Sequence, residues 1–250
     1  MPEGDAVRRT ARRLDRALSG DTLVRTDLRV PQHATADLAG GRVLETLARG
    51  KHLLTRIDRG DEQWTLHTHL KMEGGWRVVR PGERWPGPAH QVRVVLETDR
   101  AVAVGLSLGI VELLPRAREH DAVGHLGPDL LGPDWDEAEA LRRLLEGPDR
   151  PVFDALRDQT RLAGIGTIYA AEACFVMGVA PTTPVGRVPD LPRLLRRVRQ
   201  MLDQEWSTSR RLWVYRRRLC GRCGTRVEVA TMDEPGRERS AYWCPSCQRA

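Results

Sequence analysis

Eight short runs rich in β-branched residues follow one another at 22–29, 42–47, 52–57, 63–68, 76–79, 91–96, 101–104 and 110–114, each cut off by glycine, proline or aspartate. Strands so short and so closely spaced restrict this half of the chain to a sandwich or barrel. Ahead of them, Val7, Ala11, Leu14 and Leu18 recur on one helical face, which predicts a helix over 5–18 with Gly20 as its stop. From Asp136 onward the period is helical instead, over 136–145, 152–157, 168–177 and 191–206. The proline- and glycine-rich stretch 124–133 reads as the linker between the halves. The expected class is therefore α+β. A β-sandwich domain with a leading helix spans 1–123, a helical domain spans 134–209, and a small terminal module spans 210–250.

That module is defined by its cysteines. Cys220 and Cys223, and again Cys244 and Cys247, form two C-x2-C knuckles. Two such knuckles close a tetrahedral four-thiolate site, so one structural Zn2+ is the expected cofactor. Runs at 225–231 and 240–243, around Pro235 and Gly236, read as the two strands of a hairpin that the metal staples. A disulfide framework is the alternative, and it suits a secreted chain better than one without a secretion signal. Cys174, beside Ala173, Phe175 and Val176, reads as a buried core thiol and no ligand.

No run approaches the ~20 apolar residues that span a bilayer, and the N-terminus lacks the apolar stretch of a secretory signal. A soluble cytoplasmic protein without a membrane partner is expected. The formal net charge is +6 with a pI near 9.5, and the excess lies beyond Arg193, where arginines outnumber acidic residues more than two to one. A basic end on such a chain points to a polyanion partner, although arginine-rich genome composition produces the same bias. Of 40 basic side chains only Lys51 and Lys71 are lysines, which points to a need for a compact ammonium at those two places.

The first residues, Met1-Pro2-Glu3-Gly4-Asp5, carry chemistry if Met1 is removed. Pro2 then becomes a free secondary amine, partly neutral at physiological pH, that can condense with a sugar aldehyde carbon to form an iminium. Glu3 stands within reach to move protons on the reacting sugar. The plainer reading is a helix start with Asp5 as N-cap. Further along, Gly164-Ile165-Gly166-Thr167 precedes a helix. Glycines so placed leave backbone N–H groups at a positive helix end, where phosphate binds, although a plain interhelix turn has the same spacing.

Pro2-Glu3-Gly4, Gly50-Lys51-His52-Leu53-Leu54, the block from Asp158-Gln159 to Glu172, and the terminal hairpin with Arg239-Ser240-Ala241-Tyr242-Trp243-Cys244-Pro245 together resemble the formamidopyrimidine-DNA glycosylase/endonuclease VIII family. The resemblance spans the whole chain in the family's order. It implies an N-terminal β-sandwich lobe, a C-terminal lobe with a helix-two-turn-helix motif and a zinc finger, and damaged DNA held between them by a monomer. By position it makes Pro2 the Schiff-base nucleophile and Glu3 the catalytic acid. Lys51 matches a phosphate-contacting lysine that donates a proton during β-elimination. Arg239 matches the arginine that grips the lesion's phosphates and acts in δ-elimination.

Residues 69–76 read as strand, hairpin tip, strand, and Met72 matches a side chain that wedges into the duplex; core packing is the alternative for it. Lys71, Gln159, Gly164, Gly166 and Thr167 complete the expected DNA contacts. Trp206, Trp213, Tyr215 and the run Arg216-Arg217-Arg218 read as a helix-packing patch with a solvated basic face. Three positions depart from the family pattern: Ala6 replaces a glutamate, Thr167 replaces an asparagine, and 105–114 lacks the Arg-x-Phe pair of the formamidopyrimidine branch. The last favours the endonuclease VIII branch and oxidised pyrimidines. The implied activity is a DNA glycosylase/AP lyase. An AP lyase with weak glycosylase activity and a catalytically silent, structure-specific DNA-binding zinc protein are the alternatives.

Overall fold

The computed structural model describes residues 2–205, 212–232 and 238–248. The chain divides into two compact units, Met1–His125 and Leu126–Ala250.

The first unit opens with α1 (Gly4–Leu18), whose Val7, Ala11, Leu14 and Leu18 are all buried on one face. Eight antiparallel strands follow: β1 (Arg25–Leu28), β2 (Arg42–Arg49), β3 (His52–Arg59), β4 (Glu62–His69), β5 (Gly75–Val79), β6 (Val92–Glu97), β7 (Val102–Leu106) and β8 (Ile110–Pro115). They form two four-stranded sheets, ordered β1-β6-β7-β5 and β2-β3-β4-β8. Side chains from both sheets, among them Val94, Leu96 and Trp76 from one and Val43, Ile57 and Leu66 from the other, share one core with the apolar face of α1. This is the sandwich expected from the strand spacing. The sheet containing β6 and β7 is apolar on its other face too, where Val92, Val95, Val102 and Val104 gather beside Trp85.

The helix begins one residue earlier than predicted. Glu3, not Asp5, is its N-cap residue, and Asp5 lies inside the first turn, buried and paired with Arg9 at 3.5 Å. A short helix, α2 (Glu119–Val123), was not anticipated. Its first residue is held by the guanidinium of Arg56 at 2.9 and 2.6 Å and by Thr65 Oγ1 at 2.7 Å, so a tertiary clamp makes this turn, not local propensity.

The second unit contains α3 (Glu137–Leu145), α4 (Val152–Arg157), α5 (Thr167–Met177), α6 (Leu191–Asp203) and a hairpin of β9 (Glu228–Met232) and β10 (Arg239–Trp243). Asp136 and Asp190 cap α3 and α6 by accepting backbone N–H bonds. Gly178, at φ +68°, closes α5 in the left-handed conformation that a helix C-terminus favours. Residues 126–130 are buried within this unit, and Ala163 donates its N–H to Pro128 O. The apolar faces of α3 to α6 merge with Val214, Cys220, Ala241 and Cys244 in a single core. Cys174 is fully buried there, and desolvation pushes its thiol up to about 12. Among the described residues no helix is long and apolar enough to cross a membrane. The end of the run 191–206, with Trp206, and the turn at Pro235 and Gly236 lie outside the described residues.

Candidate active site and metal centre

In the first unit, Pro2 and Glu3 are placed by α1. Glu3 O accepts the Val7 N–H at 3.0 Å, and the Glu3 carboxylate makes no capping bond; the residue is 3 % exposed. Pro2 is half-buried. Two polar ties lock α1 onto the sheets: Thr46 N donates to Asp15 Oδ1 at 2.8 Å, and Arg13 donates to Trp76 O at 2.6 Å. The start of the chain is thus fixed relative to β2, whose hairpin with β3 carries Lys51.

That hairpin turns on Gly50 and Lys51 between the paired Arg49 and His52. Gly50 has φ +57°, the sign that a two-residue turn with glycine first requires. Lys51 is only 7 % exposed, unusual for a lysine and unlike the solvated strand-start side chain that its position would suggest. Lys71 stands at the tip after β4 at φ +51°, and its N–H donates to His69 Nδ1 at 2.9 Å. Its side chain lies against Gly109, where it leaves no room for a Cβ. Met72 is 65 % exposed, so it is no core residue.

Beside the two lysines lies a group of imidazoles that sequence reading missed. His52 Nδ1 is 2.7 Å from His67 Nε2, and His67 Nδ1 is 2.8 Å from Glu112 Oε2. The His52 ring also meets His69 at 5.0 Å and His125 at 6.2 Å between centroids. Burial, then the neighbouring imidazoles and Lys71, push His52 down to about 3. Burial, then Lys71 and Lys51, push His69 down to about 4. Both are neutral at physiological pH. The only signal in the sequence was histidine at 52, 67 and 69 on neighbouring strand runs, and register was needed to unite them: His52 pairs with His69, and His67 with Glu112.

In the second unit, residues 158–166 join α4 to α5. Gly164 takes φ +104°, and Gly166 is the N-cap residue of α5, with Thr167 half-buried at the first helical position. The Gln159 side chain spans the loop. It donates to Arg157 O at 2.7 Å and Ile165 O at 2.9 Å and accepts the Gly164 N–H at 3.1 Å. The loop is thereby braced from within.

The four sulfurs of Cys220, Cys223, Cys244 and Cys247 lie within 4.8 Å of one another. Cys223 is 3.5 Å from both Cys244 and Cys247, and Cys220 is 4.0 Å from Cys247. A tetrahedral sphere with bonds of ~2.3 Å spaces its sulfurs by about 3.8 Å, so this donor set fits a closed four-thiolate metal site. The knuckles are tied by Thr225 and Ser246 hydroxyls at 3.0 Å. Arg222 lies 4.5 Å over Phe175 and 5.7 Å from Trp213, and the Gln248 amide bridges Cys244 N and Val179 O at 2.8 Å each, docking the module on α5. Trp213 therefore packs as expected, and Tyr215 meets Tyr242 edge-on at 5.2 Å. Arg239 begins β10 with its side chain exposed.

Residues 1–106 match the formamidopyrimidine-DNA glycosylase N-terminal domain. A probable endonuclease 8 2 of Streptomyces coelicolor is 49 % identical to this chain, covering 99 % of it and 94 % of the relative. A protein of Mycolicibacterium smegmatis named DNA-(apurinic or apyrimidinic site) lyase Nei2 is 47 % identical over the full length of both chains. Among solved structures, Lactococcus lactis formamidopyrimidine-DNA glycosylase bound non-covalently to AP-site DNA shares the fold, with a TM-score of 0.82, 20 % identity, and coverage of 99 % of this chain and 100 % of that one. The chain belongs to the formamidopyrimidine-DNA glycosylase/endonuclease VIII family.

Proposed function

We propose that this protein is a bifunctional DNA glycosylase/AP lyase of base-excision repair, acting as a monomer on damaged DNA in the cytoplasm, at the nucleoid, and preferring oxidised pyrimidines. With Met1 removed, the Pro2 nitrogen attacks C1′ of the damaged nucleotide. Glu3 protonates the sugar ring oxygen as the ring opens and the base departs, leaving an iminium between Pro2 and C1′. Loss of a proton from C2′ then breaks the 3′ C–O bond, and a second elimination breaks the 5′ C–O bond. Lys51 and Arg239 hold the flanking phosphates, with Lys51 also a proton donor. Lys71 meets the backbone, and Met72 fills the gap that the extruded nucleotide leaves. Gln159 braces the loop by holding the Gly164 N–H, and the N–H groups of Gly166 and Thr167 at the start of α5 bind phosphate. Zn2+ on Cys220, Cys223, Cys244 and Cys247 holds the hairpin that carries Arg239, and its closed sphere has no part in the chemistry.

The observation that carries this reading is a nearly buried carboxylate, Glu3, next to a prospective terminal amine, on a helix tied to the sheet whose turn bears a buried lysine. Borohydride reduction tests it. Protein processed at Met1 is expected to cross-link to abasic DNA through Pro2, while protein that retains Met1 binds DNA nearly as well and does not cross-link. Equal trapping of both forms, checked by mass spectrometry, would refute the nucleophile.

A second reading, an AP lyase with weak glycosylase activity, is favoured by the name of the M. smegmatis relative and by the departures at Ala6 and Thr167. Release of thymine glycol or 5-hydroxyuracil separates it from the first.

A further inference from the structure

We propose that Arg13 of α1 and Arg77 of β5 together bind a phosphate group. β5 is the strand that leaves the tip carrying Lys71 and Met72, so the expected source of that group is a backbone phosphate of bound DNA. In naming that source, the inference rests on the proposed function.

Two guanidiniums meet at one carbonyl. Arg13 Nη2 donates to Trp76 O at 2.6 Å, and Arg77 Nη1 donates to the same oxygen at 3.1 Å. That oxygen belongs to β5, an edge strand of its sheet. A guanidinium carries five N–H donors, so one shared acceptor leaves most of both forks unused. A carbonyl also has no net charge to set against two cations. Among the described residues neither arginine has an ion pair, and the acids of α1 are engaged elsewhere. Asp5 pairs with Arg9 at 3.5 Å, and Asp15 Oδ1 accepts from Ser19 Oγ at 2.6 Å and Thr46 N at 2.8 Å. Burial, then the charge of Arg77, pull the Arg13 guanidinium below its ordinary value, so the fold holds two like charges together. An anion received by both turns that repulsion into a shared attraction.

The chemistry of the pair favours phosphate. A phosphodiester offers two charged oxygens, one for each planar fork, and arginine matches that geometry where a point charge does not. The Arg77 guanidinium lies over Gly75, which has no side chain to cover it. Arg12 and Arg16 on α1 are exposed and likewise have no ion pair among the described residues, which extends the positive face. The chain from Met72 to Arg77 spans at most about 18 Å, within reach of phosphates on the strand beside the extruded nucleotide.

The test is fluorescence anisotropy of the full-length protein over a salt series, with a duplex bearing a tetrahydrofuran abasic analogue and with an undamaged duplex of the same length. Arg77→Gln is the informative variant, because the bond from Arg77 to Trp76 O stays within one strand, whereas Arg13 also ties α1 to the sheets. Its affinity is expected to fall by the same factor on both duplexes, with the slope of log affinity against log salt shallower by about 0.9. Arg77→Lys should keep the slope. Arg77→Glu sets a carboxylate beside Arg13, and is expected to bind more weakly still while its melting temperature does not fall. A second measurement follows the arginine Nε–H resonances of the unchanged protein as inorganic phosphate is added; those of Arg13 and Arg77 should move together. An unchanged slope in Arg77→Gln, or a loss confined to the damaged duplex, would overturn the DNA source. Resonances that stay still with both phosphate and duplex would overturn the site itself. If the unchanged protein binds neither duplex, the proposed function fails, and the phosphate titration still decides the site.

Discussion

Single residues already separate brace from contact. Gly164 is needed because φ +104° is a region that L side chains rarely enter, and its N–H is held by Gln159. Gly164→Ala is expected to cost about 1–3 kcal/mol of stability and to weaken DNA binding, measured by urea denaturation and fluorescence anisotropy. The imidazoles make an acid prediction with a definite sign. In the unfolded chain a histidine titrates near 6.5, whereas folding holds His69 at about 4 and His52 at about 3. Between those values the unfolded state binds protons that the folded state refuses, so stability is complete above ~6.5 and falls as pH drops toward 4. The Tm-against-pH curve of His69→Gln should be flatter over that window than that of the unchanged protein.

At the scale of elements, one carboxylate supplies the polar part of the joint between α5 and the segment leading into the first knuckle, beside the stacked Phe175 and Trp213 rings. Glu172, 1 % exposed, accepts the backbone N–H groups of Trp213, Val214 and Tyr215 at 2.8, 2.9 and 2.8 Å. Glu172→Gln replaces one acceptor oxygen by a donor facing N–H groups, and a loss of about 3 kcal/mol or more in urea denaturation is expected. Elements were largely legible from sequence, because every strand run carries its own β-branched signal and turn residues. What was not legible depended on distant partners. β1 is shorter than its run because Thr22 bridges Arg42 outside the main pairing and Val24 N reaches Glu97 O singly. The turn of α2 exists because Arg56 clamps Glu119, two residues far apart in sequence.

Across the whole molecule, two units with separate cores lead to a separable response to metal loss. Cys220 and Cys244 belong to the core of the second unit, so a chelator should lower the melting transition of that unit and leave the transition of the first in place, as read by calorimetry. The candidate site was only partly legible. Pro2, Glu3, Lys51 and the four cysteines stood out by position, scarcity or spacing. The role of Gln159 as an internal brace and the meeting of His52, His67 and Glu112 needed side-chain directions and register that no periodicity encodes. The packing around Arg222 has one more consequence. Trp213 lies 5.7 Å from the guanidinium of Arg222, a residue lodged between two of the clustered cysteines, so its indole is a built-in optical gauge, whose emission is expected to change when zinc is added or chelated, without any attached dye.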